Sequence, residues 1–67
     1  MMEKAGFRDV LVMLNEEFPG RDVLTMAEVS HYMRMDRRTL LQDKQFPARR
    51  IAGKYAIHKA ALARYLS

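Results

Sequence analysis

Residues 24–44, LTMAEVSHYMRMDRRTLLQDK, decide the fold that we expect for this 67-residue chain. Thr25 and Glu28 stand at the spacing of a capping box, in which each side chain binds the backbone of the other residue at a helix start. Apolar residues at positions 26, 29 and 33 then recur at helical spacing, with Tyr32 at the edge of their stripe. The sequence therefore predicts a helix that begins directly after Thr25.

A second, shorter helix is expected from Asp36 to about residue 43 or 44. Aspartate is a favoured N-cap residue, and only two residues separate Asp36 from the end of the preceding stripe. Two helices joined by so short a segment have the spacing of a helix-turn-helix. Pro47 disfavours helical geometry at Phe46, so the second helix must end before this pair.

Residues 48–58 predict a β-hairpin. Two short runs, 48–52 and 55–58, flank Gly53 and Lys54, and the glycine can take the positive φ that a tight turn requires. With such a turn, Ile51, Tyr55 and Ile57 are expected on one face. Arg50 then faces away from the core and Lys54 lies at the tip.

Helical patterns flank this central region on both sides. An N-terminal helix is expected over residues 3–18, with Phe7, Val10, Leu11, Leu14 and Phe18 on one face. A short last helix is expected over residues 59–66. We therefore predict one domain, residues 1–67, that is mainly α with a small β-hairpin: a winged helix-turn-helix over 24–66, preceded by an extra helix.

The charge of the chain is divided between its two halves. Residues 1–33 hold three bases against six acids, a balance of −3, whereas residues 34–67 hold nine bases against two acids, a balance of +7. Positive charge gathered in part of a small domain attracts phosphate. There is no cysteine, and no apolar run approaches the ~20 residues of a membrane span. We expect a cytoplasmic protein that is not an enzyme and holds no metal or cofactor, since His31 and His58 lack neighbours at ligand spacing.

The second helix offers residues for base recognition. If Leu40 faces the core, Arg38 and Gln42 point away from it, with Arg37 and Thr39 on the two flanks. Arginine can donate to guanine with two hydrogen bonds, glutamine matches adenine, and threonine suits phosphate. The alternative is a solvated helix face without a ligand.

The expected hairpin adds two further cations. We assign Arg50 and Lys54 to the DNA backbone or the minor groove, and leave Arg49 unassigned. The alternative is an edge strand that its charges protect against aggregation. The two explanations are compatible.

Residues 24–66 resemble the excisionase-like helix-turn-helix family, the small relatives of MerR-type winged helices. The resemblance rests on residues 24–29, 36–40, 46–47, 50–57 and 62–66. It implies a second helix in the major groove and a wing on the minor groove or backbone. The implied helix contacts are Arg37, Arg38, Thr39 and Gln42, and the implied wing contacts are Arg50 and Lys54. Arg34 stands where the family usually has glycine, so we expect either a strained residue or a different turn at this position.

The function expected from charge, motif and resemblance is binding of double-stranded DNA. The resemblance implies an excisionase, a recombination directionality factor of a mobile element, with an integrase or recombinase as partner and self-association on DNA. One alternative is a small transcriptional regulator of the same fold. Another is a protein-interaction module that works through the N-terminal helix. Binding of RNA ranks lower, because exposed aromatic pairs for base stacking are lacking.

Overall fold

Four helices and a three-stranded antiparallel sheet make up residues 6–67, the part of the chain that the computed structural model describes. The strands lie in the order β1-β3-β2. In chain order the elements are α1 (Phe7–Glu17), β1 (Val23–Thr25), α2 (Met26–Met33), α3 (Arg37–Gln42), β2 (Ala48–Ile51), β3 (Lys54–His58) and α4 (Lys59–Leu66). No helix in this part of the chain is long and apolar enough to cross a bilayer.

The predicted hairpin is present, but it is only part of the sheet. The additional strand, β1, pairs with β3 and makes β3 the central strand, with Leu24 opposite Ile57. The prediction of a lone hairpin was therefore incomplete. Three residues are too few to show a strand periodicity, and the pairing of β1 depends on a partner more than 30 positions away.

Helix α1 confirms the apolar stripe that the sequence indicates. Phe7 and Leu14 are buried, and the three other members of the stripe, Val10, Leu11 and Phe18, pack against the core. The helix begins after Gly6, whose φ of 88° is left-handed. The first residues of the predicted helix, 3–5, lie outside the described residues.

The core lies between α1, α2, α4 and one face of the sheet. Its six largest fully buried side chains come from six different elements: Leu14, Leu24, Val29, Leu40, Ile57 and Leu62. Helix α1 packs mainly on α4, where the Arg64 guanidinium lies 5.3 Å from the centre of the Phe7 ring. The last helix thus packs on α1 and on β3.

Lys59 is the buried polar side chain among the described residues, with an exposed fraction of 5 %. Its Nζ donates to Oδ1 of Asn15 at 3.0 Å and to the carbonyl oxygen of Phe18 at 2.8 Å. Its backbone N–H donates to the carbonyl of Asp22 at 2.8 Å. This lysine belongs to the basic half of the sequence, yet it stabilises the end of α1 and adds nothing to an exposed basic surface.

Replacing Lys59 by methionine is expected to lower the free energy of unfolding by about 1–3 kcal/mol, because the Phe18 carbonyl and the Asn15 amide lose a buried donor. Urea denaturation measures the change. The control is Lys44→Met at an exposed position, which should change stability by less than about 0.5 kcal/mol. Equal effects of the two substitutions would contradict the role given to Lys59.

Candidate nucleic-acid interface

The start of α2 is fixed by the predicted capping box. The Glu28 backbone N–H donates to Oγ1 of Thr25 at 3.1 Å, and the Thr25 N–H donates to Oε1 of Glu28 at 2.9 Å. The Arg21 guanidinium pairs with the other oxygen of the same carboxylate. The Thr25 N–H first, and Arg21 second, hold the pKa of Glu28 below its usual value. The carboxylate is thereby engaged on both oxygens.

The turn between α2 and α3 bends the chain through a left-handed residue. Arg34 has φ 55° and ψ 41°, and its N–H donates to the carbonyl of His31 at 3.2 Å. The Met35 N–H donates to the Ser30 carbonyl at 3.1 Å, and the Ser30 hydroxyl donates back to the Met35 carbonyl at 2.5 Å. Of the two alternatives expected at Arg34, the structure has the first: the turn contains a left-handed residue, a conformation that costs a non-glycine residue free energy.

Replacing Arg34 by glycine is expected to raise the free energy of unfolding by about 0.5–1 kcal/mol, because glycine adopts this φ without steric cost. The midpoint of urea denaturation reports the gain. Met35→Gly is the matched control, since Met35 has no positive φ and glycine there should not stabilise. A loss of stability in Arg34→Gly would show that the arginine side chain outweighs the backbone strain.

Helix α3 presents a polar face to solvent. Leu40 is 1 % exposed and anchors the helix in the core, as predicted. The predicted contact residues on this helix are all exposed: Arg37, Arg38, Thr39 and Gln42. Arg38 and Gln42 stand at i and i+4 and so share one face. Asp36 occupies the N-cap position, but its side chain makes no capping hydrogen bond.

The helix ends at Gln42, one or two residues earlier than predicted. Asp43 is extended, and its Oδ1 accepts from the Gln45 N–H at 2.9 Å in an Asx-type turn. The Tyr65 hydroxyl of α4 donates to Oδ2 of Asp43 at 2.5 Å. This hydrogen bond is the main cause of the lowered pKa of Asp43 and of the raised pKa of Tyr65. The end of α3 is therefore held from α4.

The hairpin turn and its facing differ from the expectation. The two turn residues are Ala52 and Gly53, with φ of 52° and 80°, the combination of positive φ found in type I′ turns. Lys54 accordingly pairs with Ile51 as the first residue of β3, and Arg50 lies opposite Tyr55. The sequence analysis placed the turn one residue too late along the chain.

This register corrects the predicted facing of Arg50. Tyr55 and the buried Ile57 are two residues apart on β3, so both lie on the face of the sheet that covers the core. Arg50 is the strand partner of Tyr55 and therefore lies on the same face, beyond the edge of the core. Its guanidinium lies 6.0 Å from the centre of the Tyr55 ring, and the side chain remains exposed. Ile51, expected on the core side, is 55 % exposed on the opposite face.

The outer face of the hairpin carries cations that the sequence analysis did not bring together. Arg49 pairs with Ala56, and Lys54 with Ile51, so both basic side chains lie on this face. Both are exposed. Arg49 had no assigned role, and only the register reveals that it shares a surface with Lys54.

The structure brings some of the six predicted contact residues together and leaves others apart. Arg37 at the start of α3 and Lys54 on the hairpin line one groove. Arg38 and Gln42 share the solvent-facing side of α3, while Arg50 lies against Tyr55 and is not part of the groove. Residues 6–67 contain no cluster of three or more His, Asp or Glu that could hold a metal ion.

Comparisons of the chain with protein-family models, curated protein sequences and solved structures find no match. The function is therefore inferred from the residues and their arrangement. Three features are relevant to this inference: the exposed polar face of α3, the basic hairpin and the groove between them.

Proposed function

We propose that this protein binds double-stranded DNA as a winged helix-turn-helix. In this proposal α2 and α3 form the helix-turn-helix, α3 enters the major groove, and the β2–β3 hairpin is the wing on the minor groove or backbone. The observation that supports this proposal most directly is the exposed face of α3. It has basic and amide side chains at helical spacing, and the buried Leu40 fixes its orientation.

Each predicted residue has a chemical role on DNA. Arg38 and Gln42, on the outermost face of α3, suit the edges of guanine and adenine. Arg37 and Thr39, on the flanks, suit phosphate oxygens. On the wing, Lys54 projects from the outer face and Arg50 from the edge of the other face, so the two cations contact different parts of the backbone.

The short recognition helix limits what one copy can read. Six residues span about 9 Å, which is less than the width of the major groove and allows contacts to few base pairs. Useful specificity then requires repeated sites, self-association on DNA or a second protein such as an integrase or recombinase. The role of an excisionase, or of a small transcriptional regulator, rests on the resemblance of residues 24–66.

Fluorescence anisotropy with a labelled random-sequence duplex tests DNA binding. We expect binding that weakens steeply with salt, with a slope of about −0.9 for each phosphate contacted. The double variant Arg38→Ala, Arg50→Ala should bind more weakly and with a flatter slope.

The control for this titration is Arg8→Ala, which removes one positive charge from α1, the helix that packs on α4. It should bind the duplex nearly as the wild type does. Absence of wild-type binding at low salt would refute the proposal. If Arg8→Ala lost as much affinity as the double variant, binding would depend on net charge and not on the proposed interface.

A second candidate function is a protein-interaction module that works through α1. Val12 and Met13 are each 56 % exposed on the outer side of this helix. Acidic side chains at Asp9, Glu16 and Glu17 surround them. This surface combines two exposed apolar side chains with three acidic ones, with the exposed Arg8 one turn before Val12, and its charge differs from that of the surface on α3 and the hairpin.

The substitution Met13→Asp separates the two functions. Met13 is exposed, so a charge there alters the surface without entering the core, whereas Leu11 packs against the core and is unsuitable. If α1 is the working surface, Met13→Asp abolishes the activity in cells and Arg38→Ala with Arg50→Ala leaves it intact. DNA binding as the function predicts the reverse, and circular dichroism confirms that each variant is folded.

A further inference from the structure

A groove lies where the central strand of the sheet extends past one of its neighbours. Strand β1 ends at Thr25, opposite Ala56, so Lys54 and Tyr55 have no strand partner on the β1 side. The first turn of α2 and the first residue of α3, Arg37, lie there in place of a strand. The groove left between them has a volume of about 330 Å³.

The charge of this groove is positive. Arg37 of α3 and Lys54 of the hairpin both line it, while no carboxylate does. Within residues 6–67, neither of these side chains forms an ion pair. Glu28, the carboxylate in the first turn of α2, is bound by Arg21 and by the Thr25 N–H. Two exposed cations from separate elements thus border one open space.

The neutral lining of the groove is compatible with an anion. Ala27 and Gly53 are small and bring backbone close to the groove, and the rest of the neutral lining adds two hydroxyl groups, from Thr25 and Tyr55. The positive end of the α2 dipole faces the same space, because the groove includes the first turn of that helix. All fixed charges that line the groove therefore favour a negative ligand.

We propose that this groove is a phosphate-binding site that Arg37 and Lys54 form jointly. The inference rests on the proposed function, under which the ligand is one backbone phosphate at the junction between the recognition helix and the wing. The planar guanidinium of Arg37 can donate two hydrogen bonds to the phosphate oxygens, and the Lys54 ammonium supplies a point charge from the opposite side. A single phosphate then fixes the position of the hairpin relative to α3.

The two cations are consequently expected to act as a unit. Removing either one breaks the joint site, and removing the second costs little more. Contacts to separate phosphates would instead give independent effects, in which the loss of affinity in the double variant is the product of the two single losses.

A double-mutant cycle on duplex DNA tests this expectation with Arg37→Gln, Lys54→Gln and the double variant. Each single variant should lose about five- to tenfold in affinity for the duplex at low salt. The double variant should bind only slightly more weakly than the single variant with the lower affinity. Arg37→Gln combined with Arg50→Gln is the matched control, because Arg50 lies outside the groove. Its two losses should multiply.

A titration with inorganic phosphate tests the site without DNA. At constant ionic strength, NMR amide shifts of the wild-type protein should change saturably at Ala27, Gly53 and Lys54, and these changes should vanish in Arg37→Gln. Shifts that do not saturate, or that persist unchanged in this variant, would overturn the joint site.

The two measurements separate failure of the site from failure of the proposed function. Wild-type DNA binding with multiplicative losses in the Arg37–Lys54 cycle overturns the groove and leaves the proposed function intact. Saturable phosphate shifts without any duplex binding overturn the proposed function and retain an anion site in the groove.

Discussion

The antiparallel pairing of β1 with β3 is the interaction on which the other parts of the structure depend. It places Thr25, the cap of α2, beside the hairpin, and it places Val23 opposite His58, from which α4 starts. Lys59, the next residue, then reaches the carbonyl of Phe18 at the end of α1. One short strand thereby fixes the origin of two helices and the position of the hairpin relative to both. The buried Leu24–Ile57 pair at its centre supplies the apolar contact that holds it.

The tertiary structure also redistributes the charge of the basic half. Lys59 is buried and bound to α1, and Arg64 lies over the Phe7 ring, so these two cations serve packing within the domain. The other seven cations of this half are exposed, and they lie in the turn before α3, on α3, directly after it and on the hairpin: Arg34, Arg37, Arg38, Lys44, Arg49, Arg50 and Lys54. The acidic side chains of α1 lie on the helix that packs against α4.

Helix α3 is very short, and contacts at its start, middle and end hold it in place. Leu40 holds its middle, the turn at Arg34 holds its start, and the hydrogen bond from Tyr65 to Asp43 holds the segment after its end. The exposed side chains of the helix thus project from a backbone constrained at three points. If α3 binds DNA as proposed, such constraint lowers the conformational entropy that binding must remove.

The features that could be predicted from the amino-acid sequence depend on residues within about one helical turn of each other. These are the capping box at Thr25, the apolar stripes and the exposed polar face of α3, all set by local hydrogen bonds and by the helical period. Four features follow from long-range contacts in the folded chain: the pairing of β1, the facing of Arg50, the burial of Lys59 and the groove between Arg37 and Lys54. Each of these joins residues far apart in the chain. A shift of one residue in strand register moves a side chain to the other face of a sheet, and no local pattern in this hairpin fixes that register.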